Sequence, residues 1–132
     1  MSFLLDTDIC SAHLKQRGGL THRFIQHMGH LHVPTVVVGE LYSWVLRSRA
    51  APRRLHDLVD LLNDLVVLDL TETIAKRFGE IRAEQLDQGR SPPEIDLFIA
   101  ATALLHDLTV VTHNVADFAF IPNLRLVDWL TP

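Results

Sequence analysis

The sequence predicts an α/β fold, with a mostly parallel central sheet covered on both faces by helices. Two observations predict it. Short apolar runs of strand length alternate along the chain with longer segments of three- and four-residue periodicity. The 132 residues, 48% hydrophobic and 21% charged, suffice for one packed core and are too apolar for a disordered chain. No low-complexity tract, long linker or internal repeat interrupts the pattern, so residues 1–132 read as a single domain.

The elements follow in order. Phe3-Leu4-Leu5 is a buried strand that stops at Asp6-Thr7-Asp8, and helical character continues from Ile9 to Gln16 before breaking at Gly18-Gly19. Thr21 to Met28 reads as a helix stopped by Gly29, and Leu31-His32-Val33 as the second strand. Thr35 is expected to cap a helix running to about Arg49. The valines there favour strand, but the length of the segment and Gly39-Glu40-Leu41-Tyr42 favour helix. Arg53 to Leu65 is amphipathic, Val66 to Leu70 is a third strand, and Thr71 opens a helix ending near Gly89. Ser91-Pro92-Pro93-Glu94 has a capping-box pattern and starts a nearly all-apolar helix to about His106. Thr109 to Thr112 and Leu124 to Val127 complete the strands. In such folds ligands sit at the carboxyl ends of the strands.

Four acids stand where rigid or buried structure should not welcome them. Asp6 ends a hydrophobic strand, Glu40 interrupts the apolar stretch Val36 to Leu46, Asp96 lies in the first turn of a buried helix, and Asp117 follows the penultimate strand. Carboxylates crowded at one rim repel unless a cation sits among them. Hard oxygen ligands favour Mg²⁺ or Mn²⁺, and a metal-activated water can attack a phosphodiester. Each acid also has an ordinary explanation: Asp96 favours a helix dipole, Asp6 or Asp117 caps a turn, and Glu40 pairs with an arginine.

The net charge of −4 gives no bulk attraction to nucleic acid, yet Arg47, Arg49, Arg53 and Arg54 cluster within eight positions as a phosphate guide or as a solvated helix end. The apolar runs are too short to span a bilayer, no signal peptide is evident and Cys10 stands alone. A cytoplasmic protein without membrane association is therefore expected. Cys10 reads as a small packed residue, Phe98 as core, and Trp44 and Trp129 as packing or interface residues. His30-Leu31-His32 lacks further ligands for zinc.

Phe3-Leu4-Leu5-Asp6-Thr7-Asp8-Ile9, Pro34-Thr35 through Gly39-Glu40-Leu41, Asp96-Leu97-Phe98-Ile99-Ala100-Ala101 and Val111-Thr112-His113-Asn114 with Asp117-Phe118 resemble, in order, the four acidic motifs of the PIN-domain family, particularly its VapC-type toxins. Asn123-Leu124-Arg125 through Val127-Asp128-Trp129 resembles the usual ending. The resemblance implies a three-layer sandwich and an acidic metal site of Asp6, Glu40, Asp96 and Asp117, with Thr112 and Asn114 as supporting polar groups. It further implies Mg²⁺- or Mn²⁺-dependent endonucleolytic RNA cleavage, frequent homodimers and inhibition by a cognate VapB-like antitoxin. Asp8 stands where Asn is frequent in the family and adds a charge, as a supporting acid or a helix cap. Some members carry an acid where this chain has Asn114. Apolar faces around Leu14, Phe24, Leu55, Leu58 and Leu62 are expected either to receive the antitoxin or a second subunit, or to be core.

Two other readings stand beside this one. Asp6-Thr7-Asp8 is similar to the start of haloacid-dehalogenase-type phosphatases, but Cys10 and the lysines Lys15 and Lys76 fit that motif poorly. A protein-binding module with relict acids is the other.

Overall fold

A computed structural model of the chain describes residues 1–131. Its centre is one sheet made of β1 (Phe3–Leu5), β2 (Leu31–Pro34), β3 (Val66–Leu68), β4 (Thr109–Val111) and β5 (Leu126–Val127). The strands lie in the order β3-β2-β1-β4-β5, and every pairing is parallel. Leu4, Leu5, Val33, Val110 and Val111 are fully buried, as expected for a parallel sheet covered on both faces. From β1 the chain steps to β2 on one side, and β4 lies on the other. The crevice at the carboxyl ends of β1 and β4 is therefore the topological switch point of the sheet.

Among the described residues seven helices cover the sheet: α1 (Thr7–Leu14), α2 (Thr21–Gln26), α3 (Thr35–Arg47), α4 (Ala51–Asn63), α5 (Glu72–Asp87), α6 (Glu94–His106) and α7 (Val115–Phe118). The long helices lie where the periodicity predicts them, and the Thr71 side chain caps α5 by accepting from the Ile74 N–H at 3.2 Å. Within α3, tertiary burial overrides the strand preference of the valines, because Val37, Leu41 and Val45 form one buried stripe.

Several expectations need correction. Thr35 is not a cap: β2 runs through Pro34, which holds the extended cap position, and Thr35 is already helical. The capping box at Ser91 does not form either, since α6 starts at Glu94 after an extended Pro93 and lacks a side-chain cap. Ser91 and Pro92 each precede a proline, which biases both away from helical backbone and delays the start. The third strand stops at Leu68 rather than Leu70, and the last is confined to Leu126–Val127. Phe98 is half-buried and stacks on Phe78 between α5 and α6, with ring centroids 3.8 Å apart, rather than lying in the central core.

Of the apolar set expected on helix faces, Phe24 and Leu58 are buried, and Leu14, Leu55 and Leu62 pack partly buried against the same core. The apolar side chains left open near α2 are instead Ile25 and Met28, 65% and 58% exposed. Trp129 is buried against Phe3 and Phe24, as a packing residue should be. Among the described residues, no helix is long and apolar enough to cross a membrane.

Candidate active site

The switch point is built by β1 and β4 side by side. The Asp6 N–H donates to the Val111 carbonyl at 3.0 Å, which continues the β1–β4 ladder and sets Asp6 beside Thr112. Asp6 is also the N-cap of α1: its Oδ1 accepts from the Thr7 N–H at 2.7 Å. Its other oxygen accepts from the Thr112 hydroxyl at 2.9 Å. The Thr112 oxygen in turn accepts from the Asn114 N–H at 3.0 Å. The cap role open to Asp6 from sequence is thus filled by a carboxylate that also stands at the rim.

Glu40 reaches the rim from the middle of α3 and accepts from the Thr7 hydroxyl at 2.5 Å. Asp96 stands in the first turn of α6 and Asp117 in α7, a single turn after β4. Asp8, one residue into α1, accepts from the His113 N–H at 2.9 Å through one oxygen. Its other oxygen is buried without a hydrogen-bond partner.

The electrostatics report the convergence. Burial, the Asp8 charge and, more weakly, Asp96 push the Asp6 carboxyl up to about 7, against the lowering effect of its bonds from Thr112 and Thr7. Burial, then Asp117, Glu40 and Asp8, push Asp96 up to about 6. Burial likewise raises Asp8, opposed by the His113 and Ile9 amides. Repulsion at Asp6 thus comes from Asp8 and Asp96, and repulsion at Asp96 from Asp117, Glu40 and Asp8, across a chain span of more than a hundred residues. Even so, among the described residues no three acids, histidines or cysteines close into a tight ligand cluster as the side chains lie. The rim is an open arc of oxygens, not a cage.

A divalent cation fits this donor set. All the donors are hard oxygens, the acids are costly to ionise together, and one buried Asp8 oxygen lacks a partner. An open arc suits a cation that keeps several of its waters. Asn114 sits at the start of α7 and uses its backbone, not its side chain, toward Thr112.

Sequence reasoning missed Thr7 and His113. Thr7 positions Glu40, and its signal was adjacency to Asp6 on the first helical turn. His113 ties Asp8 through its amide and lies 3.0 Å from an Asp128 carboxylate oxygen through Nδ1. Of the four clustered arginines, Arg53 and Arg54 line one groove, Arg54 also lies over Trp44, Arg47 lines a cavity with Trp44 and Glu40, and Arg49 is exposed between α3 and α4.

Sheet order and rim together define an α/β domain with carboxylates gathered at a switch point. Residues 3–121 match the family model described as PIN domain. Ribonuclease VapC2 of Haemophilus influenzae is 33% identical over 131 residues, covering 98% of this chain and 99% of the relative. The tRNA(fMet)-specific endonuclease VapC of Shigella flexneri is 32% identical, with 98% of each chain covered. Among solved structures, the DNA-bound VapBC complex of Salmonella typhimurium superposes with a TM-score of 0.92 at 31% identity over 98% of both chains. The chain belongs to the PIN-domain family, among its VapC ribonucleases.

Proposed function

We propose that this protein is a divalent-metal-dependent endoribonuclease, the toxin of a toxin–antitoxin pair, in which Asp6, Glu40, Asp96 and Asp117 hold Mg²⁺ or Mn²⁺. The observation that carries the reading is the convergence of acids at the switch point, where burial and neighbouring carboxylates raise both Asp6 and Asp96. When bound, the cation supplies Lewis acidity, making water a competent nucleophile and offsetting the charge that builds on the phosphodiester. The Thr7 and Thr112 hydroxyls hold Glu40 and Asp6 in place, and the lone pairs left on both carboxylates would serve the cation. Asp8 and the His113 amide brace the loop after β4 that carries Asn114 and Asp117.

Single-stranded or loop RNA suits a rim site, because its backbone bends and its bases splay. A relative named as a tRNA endonuclease fits that class, since tRNA presents such loops. The antitoxin is the partner that covers Ile25 and Met28 beside a cavity of about 120 Å³ lined by Phe24, Leu31 and Leu65. Solved neighbours of this chain are toxin–antitoxin complexes. Purified protein with Mn²⁺ or Mg²⁺ should cut single-stranded RNA to 5′-phosphate and 3′-hydroxyl ends, and chelation should stop it. Cleavage that persists in chelator, or that leaves cyclic phosphate ends, overturns the proposal.

Thr112→Val removes the hydroxyl while keeping the buried shape. Asp6 loses a donor to its charged form, so its already raised carboxyl moves higher still. The expected result is a loss of about tenfold in cleavage at neutral pH. Part of that loss should return at higher pH, read from the acid limb of the pH–rate profile.

A further inference from the structure

Glu40, Trp44 and Arg47 lie at i, i+4 and i+7 on α3 and so share one helix face. The face leads away from the acidic rim, with Arg47 about 10 Å beyond Glu40 along the axis. Together with Ser43 and Ser48 these side chains line one cavity of about 550 Å³. The cavity thus begins at a proposed metal-holding acid and ends at a cation.

Two further cations converge on the same tryptophan. The Lys15 ammonium, at the end of α1, and the Arg54 guanidinium, on α4, each lie 4.9 Å from the Trp44 ring centroid. Lys15 and Arg54 also line an adjoining groove of about 260 Å³ with Arg53, Gln16 and a single acid, Asp57. A half-buried indole is a fixed support, so it holds two long side chains that would otherwise sample many rotamers. The protein carries a net charge of −4 and an acidic rim that repels phosphate. A polyanion reaching that rim needs a local cationic approach, and this face is continuous with the rim through Glu40.

We propose that Lys15, Arg47 and Arg54 form a phosphate track for the RNA strand flanking the scissile bond, with Trp44 as the positioning residue that fixes Lys15 and Arg54. The inference rests on the ribonuclease reading and adds Lys15 and Trp44, which sequence clustering of arginines does not reach.

The test is steady-state cleavage of a single-stranded RNA oligonucleotide in Mn²⁺ across a salt series. Lys15→Gln with Arg54→Gln should raise KM about tenfold and flatten the slope of log KM against log salt by roughly 1.4, the value for two lost single-strand phosphate contacts. In the same variant kcat should change little. Trp44→Leu should reproduce the KM effect, and Trp44→Phe, which keeps a ring for the cations, should recover most of it. Lys76→Gln, on the distant α5, removes an equal charge and should leave KM unchanged. Thermal melts accompany each variant, and Arg47→Gln alone serves if the Trp44 variants fail to fold. Unchanged KM and salt slope in an active enzyme would overturn the track and leave this face to a protein partner. A loss confined to kcat would overturn it equally. Wild-type protein that cuts no RNA in Mn²⁺ would instead remove the ribonuclease reading on which the track stands.

Discussion

Asp96→Asn and Asp6→Asn should each lower RNA cleavage by about 10²-fold or more, while making the metal-free protein more resistant to heat. The pairing of these outcomes is what distinguishes a functional acid from a structural one. In the metal-free fold both carboxyls are held above their ordinary range by burial and by neighbouring acids, so each ionised group costs stability at neutral pH. A neutral amide of the same shape removes that cost. The Asp6→Asn side chain still offers one oxygen to the Thr7 N–H, and its NH₂ can donate to the Thr112 oxygen. The amide is a much poorer ligand for a hard cation, so the chemistry suffers although the fold gains. Asp117 is exposed, and Asp117→Asn should cost less in rate. Cleavage kinetics and melting curves on the same preparations check both halves. An Asp96→Asn protein that cut RNA near the wild-type rate would remove Asp96 from the site, and a lower melting temperature would make its role structural.

The candidate acids were legible in the sequence because each breaks a local pattern that the fold otherwise obeys. Asp6 ends a buried strand, and Glu40 interrupts an apolar helix whose other face is Val37, Leu41 and Val45. Functional sites are where local consistency is expected to fail. Strand and helix order were legible for the complementary reason, since a buried parallel sheet needs continuous apolar runs. What the sequence hid depends on contacts between distant segments. Thr7 looked like an ordinary helix-starting residue, and only the approach of α3 to α1 gives it Glu40. Trp44 looked like packing, and only the ends of α1 and α4 supply its cations. The arginine cluster was legible only as a neighbourhood. Four residues close in sequence straddle a helix end and a turn, and the fold sets Arg47 and Arg54 about Trp44 while Arg49 lies exposed between the helices. Local rules also failed at Ser91, where two consecutive prolines outweighed an otherwise good capping pattern.

The stability of the metal-free protein should fall as pH rises from 5 to 8, and the fall should disappear in Asp6→Asn with Asp96→Asn. Unfolded aspartate titrates near 3.8, whereas folded Asp6 and Asp96 titrate at about 7 and about 6. Between those limits the native state holds more protons than the unfolded chain, so stability decreases with rising pH. Two histidines oppose this. Burial lowers His13 and His27, so each destabilises the fold as the pH drops through its folded value. The difference between wild type and the double variant cancels these shared contributions and leaves the carboxylates. Its change over the interval should reach about 1 kcal/mol or more, roughly 4 °C in Tm for a domain of this size. Mn²⁺ should reverse the trend, because it binds the ionised arc and competes with protons for it. Saturation to about 100 times Kd adds roughly 2.7 kcal/mol, so the Mn²⁺-induced rise in Tm should be large at pH 8, small at pH 5 and absent in the double variant. Wild-type protein whose melting temperature ignores Mn²⁺ at pH 8 would mean that the arc holds no cation, and the raised carboxyls would then be a cost of folding without the chemistry proposed for them.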